Sequence, residues 1–84
     1  MHWSVQLGAF AVPANAEALR ERLALLLSSP EAADLPAELR SPRIEVHGGL
    51  ARVLIGVVAD RTVALQWSRV LEKFLARPTA LFAR

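Results

Sequence analysis

Ser4-Val5-Gln6-Leu7-Gly8-Ala9-Phe10-Ala11 can be laid, at a constant offset, on Arg52-Val53-Leu54-Ile55-Gly56-Val57-Val58-Ala59. The register then holds through the segments that follow: Ala16, Leu19, Leu23, Leu26 and Leu27 fall on Ala64, Trp67, Leu71, Phe74 and Leu75. Internal self-similarity of this kind decides architecture before any single residue does. Each copy reads as a strand ending near a glycine, a short turn and an amphipathic helix.

The alternation of Val5 and Leu7 with Ser4 and Gln6 is the period-two signature of a strand with one buried face. Pro13 suits a helix start and Asn15 is the expected cap. Ala16, Leu19, Leu23, Leu26 and Leu27 then form an apolar stripe, with Glu17, Arg20 and Glu21 facing away. In the second copy Val53 and Ile55 take the buried role and Asp60 is the expected cap. Val63, Ala64, Trp67, Val70, Leu71 and Phe74 make the apolar stripe of its helix.

Two further strands complete the pattern. Arg43-Ile44-Glu45-Val46 is separated from the second copy by His47-Gly48-Gly49-Leu50, and a Gly-Gly pair between strands signals a tight hairpin. Thr79-Ala80-Leu81-Phe82, after Pro78, reads as the last strand. The order β–α–β–β–α–β is that of a split β-α-β, ferredoxin-like or RNP-like α+β fold. Right-handed crossovers put both helices on one face of a four-stranded antiparallel sheet and leave the other face open. Residues 1–84 are expected to form a single domain, with half-repeats at about 3–47 and 50–84. An insert at about 28–41 breaks the symmetry. Carrying Pro30, Pro36 and Glu31, Asp34 and Glu38, it reads as a solvated connection with one helical turn between Leu35 and Arg40.

Composition is that of a folding chain, with 54% hydrophobic and 21% charged residues among 84. A chain this short buries about 60–65% of its unfolded surface, so the core must be economical. There is no cysteine, which removes disulfides and thiolate metal sites. No run of about 18 apolar residues exists to span a membrane. Met1-His2-Trp3 does not open a signal peptide, and strand-like sequence begins at residue 3, so a larger parent protein is expected to supply targeting.

An active site is not expected. His2 and His47 fall in different elements without metal-binding company, and His47 reads as an exposed turn residue. No nucleophile elbow, zincin helix or P-loop is present, so no catalytic residue, metal or cofactor is assigned. Binding is the alternative. With Val5, Leu7, Val53 and Ile55 turned to the helices, strict alternation sends Gln6, Gly8, Phe10, Leu50, Arg52, Leu54 and Gly56 to the open face. An amide, a guanidinium and apolar area there suit a sugar or an extended polymer; Gln6 and Arg52 can equally be outward residues that keep the sheet soluble. RNA readers of this topology stack bases on aromatics of the central strands. Only Phe10 is available for that, and the net charge is just +2, so nucleic acid is not an expected partner.

The glycine-ended strands also carry a family resemblance. Trp3-Ser4-Val5-Gln6-Leu7-Gly8-Ala9-Phe10 followed by Asn15-Ala16-Glu17-Ala18-Leu19 resembles the opening of SPOR (sporulation-related repeat) domains. Gly48-Gly49-Leu50-Ala51-Arg52-Val53-Leu54-Ile55-Gly56 resembles their second signature, and Asp60-Arg61 with Ala64 continues it. The resemblance implies a non-catalytic module that binds peptidoglycan glycan strands lacking stem peptides. As part of a larger envelope protein, it would act in the periplasm at the division septum. Gln6 and Arg52 match polar positions of the family's glycan-binding face; Leu50 stands where some members have tryptophan, and Ala9 where some have a small hydroxyl residue. The second reading is a protein-interaction or dimerisation domain of the same fold, with Leu50 and Leu54 as the contact and a protein partner at the septum.

Overall fold

A computed structural model describes residues 1–84. Gly48 and Gly49 sit at φ 62° and 77°, the pair of left-handed residues that a two-residue hairpin turn requires. They join β2 (Arg43–His47) to β3 (Leu50–Val58). The other elements are β1 (Trp3–Phe10), α1 (Pro13–Leu27), α2 (Arg61–Leu75) and β4 (Ala80–Ala83). The four strands form one sheet in the order β2-β3-β1-β4, antiparallel throughout, so β1 and β3 are central as the topology requires. The α+β split β-α-β architecture is therefore present.

One face of the sheet carries the core. Val5, Leu7, Val53 and Ile55 meet Leu19, Leu23 and Leu27 of α1 and Leu71 of α2. Both stripes are narrower than the periodicity alone suggests. Leu26 is 47% exposed and Val70 42% exposed. Each lies one position from a buried leucine, about 100° around the helix, and a four-stranded sheet does not reach that far. In the opposite sense, Ser68 is buried, its hydroxyl 2.5 Å from that of Thr79, whose backbone N–H donates to Glu72 at 2.9 Å.

The helix ends follow local chemistry. Asp60 caps α2, its carboxylate accepting from the Thr62 N–H at 2.8 Å. Asn15 does not cap α1. Pro13, with its φ already helical, starts the helix after Val12, and the Asn15 N–H donates to the Val12 carbonyl at 3.0 Å. Ser28 and Ser29 close its other end by donating to the carbonyls of Ala24 and Leu26 at 2.7 and 2.6 Å.

The insert is not a merely solvated connection. It forms two short 3₁₀ turns, Pro30–Ala32 and Ala37–Leu39, and buries Ala32 and Leu39 completely. Leu39 belongs to the core, with Leu35 packed beside it. Burying one leucine stabilises the fold by about 2 kcal/mol, so the proline-rich segment is a lid on the core rather than a tether.

Candidate functional site

Two bulges decide which side chains reach the outer face of the sheet. Along β1 and β3, Gln6 pairs with Leu54 but Gly8 pairs with Val53, so Leu7 and Gly8 together oppose one residue. An extra residue in one strand reverses the facing of everything after it. A Cβ at Gly8 would lie 2.9 Å from the Leu19 side chain and 2.8 Å from the Phe10 ring. Gly8 and Phe10 therefore face α1 and the core, not the outer surface. Ala9, paired with Arg52, takes the outer place. Gly56 is turned inward likewise, at φ 75°, where a Cβ would be 2.7 Å from the Trp67 ring. Strict alternation had placed Gly8, Phe10 and Gly56 outside, and the bulges overrule it.

Gln6, Leu50, Arg52 and Leu54 remain on the outer side, though not equally accessible. Leu54 lies between Gln6 of β1 and Arg43 of β2. The Arg43 guanidinium crosses β3 to donate to the Ser4 hydroxyl at 2.9 Å and the Gly56 carbonyl at 3.1 Å. Leu54 beneath this span is fully buried, so it is available neither to a ligand nor to a partner chain. Leu50 is half-buried at the hairpin end opposite His47.

Arg52 is the centre of the face. Its Nη1 donates to Gln6 Oε1 at 3.0 Å and its Nε to the His47 carbonyl at 3.2 Å. The guanidinium lies 4.9 Å from the centroid of the Phe82 ring, a cation–π contact that fixes its plane. Phe82 comes from β4, where it pairs with Ser4, and the His47 imidazole leans on it with centroids 5.0 Å apart. Beside this stack, Glu45 accepts from Arg43 Nε at 2.6 Å, His47 Nε2 at 2.8 Å and Arg84 Nη2 at 3.1 Å. The hydrogen bond from His47, followed by the bonds and charges of Arg43 and Arg84, holds the Glu45 carboxyl below the usual carboxylate range against partial burial. Two guanidinium groups and an imidazole thus surround one carboxylate, and with Arg52 beside them the face is net cationic.

The sequence led to the expectation of Gln6 and Arg52 on the open face, where their side chains meet. It did not single out Phe82, Arg43, Glu45, His47 and Arg84, which gather around them. The signal was available. Arg43, Glu45 and His47 alternate with Ile44 and Val46, and Phe82 alternates with Leu81, which packs on the core. His47 is not an exposed turn residue; it ends β2 with its side chain 32% exposed and paired with Glu45. No group of three or more His, Cys, Asp or Glu side chains is placed to hold a metal ion.

The sequence profile of the SPOR domain matches residues 2–78, which hold three of the four strands and both helices. The chain belongs to the SPOR domain family. A solved relative is similar in fold: the solution structure of the peptidoglycan binding domain of the B. subtilis cell wall lytic enzyme CwlC superposes with a TM-score of 0.62. The similarity covers 96% of this chain and 86% of that one at 23% identity. Among curated proteins no sequence matches. In this SPOR domain both signature motifs run along the central strands, and it is their polar residues, Gln6 and Arg52, that meet.

Proposed function

We propose that residues 1–84 are one SPOR domain that binds peptidoglycan through the outer face of its sheet. It recognises glycan strands stripped of stem peptides and so places a larger envelope protein at the division septum. The observation that carries this reading is the Gln6–Arg52 pair at 3.0 Å, held against Phe82 in the middle of the face. A guanidinium has five N–H donors. Arg52 gives one to Gln6 and one to the His47 carbonyl, which leaves a fork for a carboxylate. Denuded strands present such a group in the lactyl ether of N-acetylmuramic acid. With Oε1 occupied, the Gln6 amide N–H groups point the remaining donors at acetamido and hydroxyl oxygens. Phe82 adds apolar surface that the central strands themselves lack. That the domain of CwlC is a peptidoglycan binding domain supports the same ligand class.

The reading includes no catalytic step. Hydrolysis of a glycosidic bond calls for two carboxyl groups, one of them able to give a proton. The face presents Glu45, held ionised by two guanidinium groups and the hydrogen bond from His47. With Leu54 buried, a protein contact through Leu50 and Leu54 has only Leu50 to work with, so glycan binding is the stronger reading.

The test is co-sedimentation with purified sacculi before and after amidase digestion, with wild type and Arg52→Ala. Pelleting that increases on digestion and falls at least tenfold in the variant is the expected outcome. Absence of pelleting with both preparations would refute the reading and turn attention to a protein partner.

A further inference from the structure

Resting on that reading, we propose that His47 is a further ligand-binding residue of the outer face, one that selects for anionic sugars and makes binding strengthen as pH falls. No motif marks this residue, and the case is geometric. The imidazole is wedged between the two halves of the face. One edge is tied to Glu45 through Nε2 at 2.8 Å, and the ring leans on Phe82, which also carries Arg52. Its own backbone carbonyl holds Arg52 Nε at 3.2 Å. His47 therefore borders the site proposed for the muramyl carboxylate, with its side chain 32% exposed.

The tie to Glu45 fixes what the free edge offers. Glu45 is ionised, so neutral His47 carries its proton on Nε2 and donates it there, leaving Nδ1 as an acceptor without a protein partner. On protonation Nδ1 becomes a donor and the ring gains a positive charge, while the bond to Glu45 is kept. The same edge thus changes from repelling a carboxylate lone pair to donating to it. The charged groups that face the ring are Glu45 and Arg43 from β2, Arg52 from β3 and Arg84 following β4. The arginines stay charged throughout, and Glu45 stays ionised above its ordinary range, so neither they nor Glu45 change charge between pH 8 and pH 5.5. A carboxylate of ordinary pKa on the glycan is likewise constant over that interval.

The experiment measures binding of the full chain to amidase-treated sacculi at pH 8 and pH 5.5 and constant ionic strength. Wild type is expected to bind about fivefold more tightly at pH 5.5, the effect of one charge-assisted hydrogen bond at a half-exposed site. His47→Gln, which can still donate to Glu45 but cannot titrate, is expected to bind equally at both pH values. His47→Lys, charged throughout, is expected at pH 8 to match wild type at pH 5.5. Wild-type binding that does not change with pH, or a rise of equal size in His47→Gln, overturns the proposal while leaving the glycan reading intact. Absence of pelleting at both pH values overturns the glycan reading itself, and this inference with it.

Discussion

Gln6 and Arg52 are joined side chain to side chain at 3.0 Å although neither is the other's partner in the sheet: Gln6 pairs with Leu54 and Arg52 with Ala9. The contact is diagonal across the two central strands, made possible because the bulge at Leu7 and Gly8 shifts the pairing by one residue just beyond Gln6. A diagonal pair of this kind positions the guanidinium without using up its fork.

Removing either partner should therefore weaken glycan binding unequally. Arg52→Ala removes the charge and is expected to cost tenfold or more. Gln6→Ala leaves the charge but frees its orientation, and a loss of about fivefold is expected. Because Gln6 acts in part through Arg52, the double variant should bind no more weakly than Arg52→Ala by more than about twofold, a non-additive cycle. Fully additive losses would mean that the two residues touch the ligand independently.

How much of this was legible beforehand differs by element. The internal repeat gave element order and sheet topology, because a hydrophobic period reports which face of each strand is buried. Bulges leave no comparable trace: Gly8 and Gly56 look like outward members of an alternating run until the pairing shows one residue too many. The depth of Leu54 was hidden for another reason. A leucine on the solvent side of a sheet reads as exposed, and only the span of Arg43 from β2 to β1 covers it. Leu39 escaped notice because its neighbours are prolines and acids, whereas its burial is set by contacts distant in sequence.

Leu39→Ala tests whether the insert is part of the core. Truncating a fully buried leucine costs about 2–4 kcal/mol. Urea unfolding should show a shift of that size at unchanged slope. A change below about 0.5 kcal/mol would restore the insert to the status of a solvated loop.

Gly56→Ala tests the bulge in β3. The backbone there has φ 75°, and the added Cβ would stand 2.7 Å from the Trp67 ring, closer than van der Waals contact allows. Backbone strain of about 1 kcal/mol and displacement of a packed indole combine to an expected loss of about 2–4 kcal/mol. Gly49→Ala is the control: it has a similar φ of 77° and nothing within 4 Å, so its cost should be the smaller by about half. Equal losses at both sites would show that φ alone, not the indole, requires glycine at position 56.

The Glu45 network makes stability depend on acid in a definite direction. Hydrogen bonding by His47, then by Arg43, lowers the Glu45 carboxyl in the folded chain. In the unfolded chain the same group titrates near 4.3 as an ordinary glutamate. Between these two values the unfolded state binds more protons, so stability rises with pH there. The contribution is complete above the unfolded pKa and is lost as pH falls through the folded one. Urea unfolding of wild type and Glu45→Gln at pH 7, 4 and 3 isolates it, since the remaining carboxylates are common to both. Wild type is expected to be the more stable at pH 7 by about 1 kcal/mol, the net worth of hydrogen bonds to a charged group at a partly exposed site, and the difference should shrink toward pH 3. A difference that persists unchanged to pH 3 would mean that Glu45 stabilises the face through its shape and neutral hydrogen bonds rather than through its charge.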